Sequence, residues 1–162
     1  HVFYFRSRPH IIDAIQWVLQ QEPPVAEEDR FLTTVLCTPT PTPPEEWVKQ
    51  VQRFRGQSLS DTTSAHFDGP LRAIRCGLEL ANASGASFGV HTGAVVRRGQ
   101  TITGPALDVA ESIAARAPAG SVWASRVLVD LAIGSGLDFE KTGESMELEG
   151  REIDLFSVTS QS

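Results

Sequence analysis

The sequence predicts an α+β domain in which a mainly antiparallel sheet is covered by helices. Short β-branched and apolar runs alternate with amphipathic helical stretches along most of the chain. Some neighbouring runs are separated only by tight polar turns, which join antiparallel partners, while others are separated by a helix, which permits a crossover. Gly and Pro punctuate nearly every transition, 13 and 10 of them in 162 residues.

The elements follow in order. Residues 1–29 read as an appendage. Within them Pro9 to Gln21 carries Ile11, Ile12, Ile15, Val18 and Leu19 at helical spacing, with Pro9 suited to a first turn. Glu22 to Asp29 is charged and broken by two prolines, as in a linker. The main domain is expected to occupy residues 30–160. Phe31 to Thr38 reads as a buried strand that stops at Pro39, where alternating prolines remove ladder donors. Trp47, Val48, Val51 and Phe54 mark a helix with Thr42 as its expected N-cap.

Gln57 to Phe67 reads as a hairpin about a polar turn that contains Asp61, and Asp68-Gly69-Pro70 starts a helix running to about Ala83. Ser87 to Val96 is a strand, Arg97 to Gln100 a turn and Thr101 to Thr103 a short strand. Gly104-Pro105 opens a helix carrying Leu107, Ala110, Ile113 and Ala114. Ser121 to Ala124 is then a strand and Ser125 to Leu131 a helix. Three strands end the chain: Phe139-Glu140, Ser145 to Leu148 and Arg151 to Val158, the last two around the Glu149-Gly150 turn. Hairpins mixed with crossovers argue for a ferredoxin-like sandwich over a doubly wound parallel sheet.

Composition excludes several function classes. Hydrophobic residues at 41% and charged residues at 21% are ordinary for a globular domain. No apolar run approaches the roughly 20 residues of a membrane span. Fourteen basic against 20 acidic residues give a net charge of -6 without a Lys/Arg cluster, which argues against a nucleic acid partner. Cys37 and Cys76 form no Cys-x-x-Cys pair, so neither a zinc site nor a disulfide scaffold is indicated, and a reducing cytoplasm is the expected location. The chain opens at His1 without a signal-like run and is expected to be a segment of a longer polypeptide.

From Phe31 to Val158 the sequence resembles the class III adenylate/guanylate cyclase catalytic domains, especially bacterial ones. The resemblance rests on Thr34-Val35-Leu36, Phe67-Asp68-Gly69-Pro70-Leu71-Arg72-Ala73-Ile74-Arg75, and Gly89-Val90-His91-Thr92-Gly93. It continues in Ile102 to Ala110, Ser125 to Leu131, and the ending from Gly143-Glu144 to Leu155-Phe156. It implies the class III nucleotidyl cyclase fold. The family's chemistry joins a ribose 3′ oxygen to the α-phosphate and expels pyrophosphate, with two metal ions held between two carboxylates.

The resemblance also implies where that chemistry has been lost. The first metal carboxylate is matched by Pro39, which has no ligand atom, and the phosphate loop by a proline-rich segment short of N–H donors. Thr38 to Pro44 reads either as a remodelled loop or as a short Pro-rich ligand for a groove. The second carboxylate is matched by Asp61, which is retained and reads as a turn residue. The transition-state Asn and Arg are matched by Asp108 and Ser112, and Ser112 has neither the charge nor the reach of an arginine. Gln57 and Thr101 match the base-recognition pair and can still hydrogen-bond a purine edge. His91 and Thr92 read as architectural.

These positions imply a catalytically degenerate regulatory or dimerising module, with no cofactor expected (Mg or Mn if active) and a homodimer as the assembled form. The alternatives are an active adenylate or guanylate cyclase, alone or with a competent partner, and a small-molecule sensor in the old substrate cleft. Bacterial relatives with the Phe67 to Arg75 pattern often follow an α/β-hydrolase domain, and His1 with the Pro9 to Gln21 helix resembles the end of one. A signalling linker helix is the other reading of that segment.

Overall fold

The computed structural model describes residues 28–60 and 62–161. The helix expected over Pro9 to Gln21 lies outside the described residues, as does Asp61. The described elements are β1 (Glu28–Cys37), α1 (Pro44–Arg53), β2 (Gln57–Ser60), β3 (Ser64–Phe67), α2 (Pro70–Ser84), β4 (Phe88–Arg98) and β5 (Thr101–Thr103). They continue with α3 (Pro105–Arg116), β6 (Val122–Ser125), α4 (Arg126–Leu131), β7 (Leu137–Leu148) and β8 (Arg151–Gln161).

The strands form one sheet in the order β2-β3-β1-β4-β6-β8-β7, with β5 folded back on β4. The β4–β6 pair is parallel, joined through the crossover helix α3, and the other described pairs are antiparallel. The expected mixed α+β architecture is therefore observed. Helices α1, α2 and α4 cover one face, where Trp47, Ile74, Leu80 and Leu128 pack against Leu36, Phe67, Phe88 and Val90. Helix α3 covers the other face through two clusters. One joins Ala106, Ala110 and Ala114 to Val35, Cys37 and Val95, and the other joins Val109 and Ile113 to Trp123 and Leu155. Burying each of the larger aliphatic side chains contributes roughly 1.5–3 kcal/mol.

Small residues let α3 approach closely. A Cβ on Gly89 would sit 2.4 Å from both the Ala110 carbonyl oxygen and the Ala114 nitrogen, so β4 and the helix touch backbone to backbone there.

Four local expectations are corrected. Thr42 does not cap α1: Pro43 holds the N-cap position without a side-chain hydrogen bond, and the Thr42 hydroxyl is buried with no partner. The Thr42 N–H is instead bonded to Thr62 O at 3.3 Å, so closure of the proline loop on the β2–β3 turn decides its orientation. Strand β1 begins at Glu28, inside the stretch read as a linker, because Glu28 and Asp29 pair in register with Arg98 and Arg97. Arg97 and Arg98 are accordingly strand residues, and the turn is Gly99-Gln100. Finally, the three tail strands are two. A register shift between Lys141 and Ser145 absorbs Gly143 as an irregularity inside β7 and keeps its ladder with β8 continuous.

Candidate functional site

Strand β1 ends at Cys37, and the next residues return immediately to the neighbouring hairpin. Thr38 N–H donates to Thr63 O at 2.9 Å, and the Thr38 hydroxyl donates to Thr40 O at 3.4 Å. Pro39 is exposed on this loop. The loop is thus bound to the hairpin turn, and its prolines at 39, 41 and 43 offer no N–H.

Cys37, on the α3 face of β1, is buried, and its thiol pKa is driven up by burial first and then by the negative charges of Glu111 and Asp108 on α3. The cleft end beside the proline loop therefore collects carboxylates. Asp108 is exposed in the first turn of α3 and Ser112 is half-buried one turn on. Among the described residues no three His, Cys, Asp or Glu side chains are grouped to hold a metal ion. Pro39 brings no side-chain donor atom to the strand end, and Asp61 lies outside the described residues.

Gln57 and Thr101 lie elsewhere. Gln57 is on β2, in register with His66 of β3, and Thr101 is exposed on β5 opposite Arg98. Beside Gln57 opens a cavity of about 360 Å³ walled by Gln57, Leu59, His66, Arg97, Gln100 and Ile102, and Thr101 does not line it. A second cavity, about 230 Å³, shares Gln57, His66 and Arg97 and adds Phe31, Arg55 and Asp68. The two form one groove on either side of His66.

The protonation of His66 follows from its neighbours. The Thr33 hydroxyl donates to Phe67 O at 2.8 Å and lies 3.2 Å from His66 Nδ1. Burial, then the Arg97 guanidinium, lowers the His66 pKa, with Asp68 acting weakly the other way. The ring is neutral at physiological pH. Gln57 Oε1 lies 3.0 Å from Nε2, which leaves the Gln57 amide N–H groups for the groove.

His91 and Thr92 are structural, as expected. His91 Nδ1 lies 2.7 Å from the Ser125 hydroxyl, which also accepts from Leu128 N–H as the N-cap of α4. Thr92 and Thr34 hydroxyls meet at 2.8 Å across β4 and β1. Sequence reasoning missed Phe31, Arg55, His66 and Arg97. Their only sequence signal is parity: Phe31 and Arg97 fall on the α3-facing side of their strands, as does His66.

No family model matches the sequence, and no curated protein matches it. Solved structures do match the fold. An adenylate/guanylate cyclase/hydrolase from Silicibacter pomeroyi superposes with a TM-score of 0.69 at 18% identity, covering 83% of this chain and 99% of that one. The adenylyl cyclase CyaB from P. aeruginosa gives 0.69 at 13% identity over 84% and 97%. The guanylyl cyclase domain of the RhoGC fusion protein from Blastocladiella emersonii, described as a non-canonical dimer, gives 0.63 at 11% over 83% and 99%. At these identities the likeness establishes the fold, which is that of class III nucleotidyl cyclase catalytic domains.

Proposed function

We propose that this chain is a cyclase homology domain that makes no cyclic nucleotide and serves as a regulatory or dimerising module of a larger signalling polypeptide. One observation carries the reading. Where a cyclase needs cations at the phosphate end of its cleft, this chain has Pro39 on a donor-poor loop and, on α3, Asp108 and Glu111 facing Cys37. Phosphoryl chemistry depends on positive charge at the attacking and leaving oxygens, and an acidic surround opposes it.

Incubation of the purified chain with manganese and ATP or GTP, followed by mass spectrometry, should yield no cyclic nucleotide. Robust turnover would overturn the reading. Dimerisation is proposed on the dimeric form described for the RhoGC domain and on the exposed first turn of α3 beside the β4–β5 hairpin. Light scattering at tens of micromolar should give twice the chain mass. Among the described residues no helix is long and apolar enough to cross a membrane.

A further inference from the structure

We propose that the groove around His66 binds a small, flat organic monocarboxylate, with Arg97 holding the carboxylate. This goes beyond the cyclase-homology reading and does not rest on it.

Charge selects an anion. The chain as a whole carries -6, yet two guanidiniums, Arg97 and Arg55, wall this groove. The ion pairs among the described residues engage Arg30, Arg53, Arg98, Arg126 and Lys141, and neither groove arginine takes part in them. Asp29, opposite Arg97 in register, is not bonded to it. Arg97 is held in place by an apolar surface: its guanidinium lies 4.9 Å over the Phe31 ring. Stacking engages the face of the guanidinium and leaves its N–H edges able to fork a carboxylate. Arg55 sits at φ 62, a left-handed backbone that a non-glycine residue adopts only at a cost, and this places it at the groove wall directly after α1.

The same wall limits the anion to one charge. Asp68 is the carboxylate in the cavity lining and Asp29 stands opposite Arg97 in register, so the two guanidiniums leave at most a single positive charge for a ligand. A polyphosphate would meet Asp68 with more negative charge than the two guanidiniums offset. A monocarboxylate escapes that repulsion.

Shape and hydrogen bonding select the body. Leu59 and Ile102 give the larger cavity an apolar floor continuous with the Val35 and Val95 cluster, and Phe31 and His66, rings 5.9 Å apart, bound the narrower part. Gln57, its Oε1 held 3.0 Å from His66 Nε2, offers its amide N–H as a donor at the rim. A planar ring bearing one carboxylate fills these features.

The test is a chemical-shift titration of the full chain with benzoate, with benzamide as the uncharged isostere and phthalate as the dianion. Benzoate should saturate shifts centred on Gln57, His66 and Ile102 and bind at least about tenfold tighter than benzamide, with phthalate weaker than benzoate. Arg97→Gln should lose at least about tenfold in benzoate affinity, while Arg151→Gln, at the start of the distant β8, should change nothing. Arg97→Lys keeps the charge and removes the fork, and should weaken benzoate by several-fold. Should Arg97→Gln fail to fold, Arg97→Lys and the benzoate–benzamide comparison on the unaltered chain decide the matter. Equal binding of benzamide, unchanged affinity in the arginine variants, or no saturable shift at the groove up to the solubility limit of benzoate would overturn the proposal.

Discussion

Acidification should destabilise this domain through one identifiable side chain, His91. The ring is 4% exposed and has its Nδ1 against the Ser125 hydroxyl. Burial lowers its pKa from 6.5 to about 4. In that window the unfolded chain binds a proton that the folded chain does not, so stability rises with pH and is lost as pH falls below the unfolded value. At about 1.4 kcal/mol per unit the gap amounts to about 3 kcal/mol, fully present above pH 6.5 and fully lost only near the folded pKa. His66 is shifted in the same direction and adds to the acid sensitivity.

Urea denaturation of the unaltered chain and of His91→Asn, repeated across this range, isolates the effect. Asn does not titrate and can still meet the Ser125 hydroxyl. Whatever its stability at neutral pH, its loss on acidification should be smaller by about 3 kcal/mol. Parallel stability profiles for the two proteins would refute the argument, since they would mean that His91 takes up its proton equally well in the folded state.

Four further outcomes are expected. Thr42→Val removes a buried hydroxyl that has no partner while keeping the side-chain shape, and should raise stability by about 1 kcal/mol in thermal melts. Gly89→Ala drives a methyl into the Ala110 carbonyl oxygen and Ala114 nitrogen at 2.4 Å, and should cost about 3 kcal/mol or more in denaturant unfolding. Pro39→Asp restores a carboxylate without restoring loop donors or the charge missing at Ser112, so manganese assays should still find no cyclic nucleotide. Calorimetry should find no affinity for ATP or GTP tighter than about millimolar, with or without magnesium. A micromolar constant would mean that the acidic end is neutralised in a way the described residues do not provide.

How far sequence reaches into this molecule depends on whether a feature is set by neighbours along the chain or by register between strands. The helices at Pro70, Pro105 and Arg126 are legible because a first-turn proline or a capping serine precedes an apolar stripe, and each observed helix starts within a residue of that signal. Thr42 carries the same kind of signal and misleads. Its backbone is committed to Thr62, twenty positions away, and that long-range bond overrides the local cap preference. The break expected between Glu140 and Ser145 misleads for a related reason: pairing with β8 on both sides carries the strand through Gly143 at φ 88.

The same distinction explains the site. Pro39 and Asp108 are placed by resemblance because they stand just past a strand end and in the first turn of a helix, and Ser112 because it lies one turn on from Asp108. Phe31, His66 and Arg97 come from three strands more than thirty positions apart, each surrounded by unremarkable alternation. Nothing short of the pairings Val35↔His66 and Phe31↔Val95 puts them on one face. A shift of one residue in the β1–β4 register would send Arg97 to the opposite face of the sheet. The groove's positive charge is therefore a property of register, which no local stretch of the sequence carries.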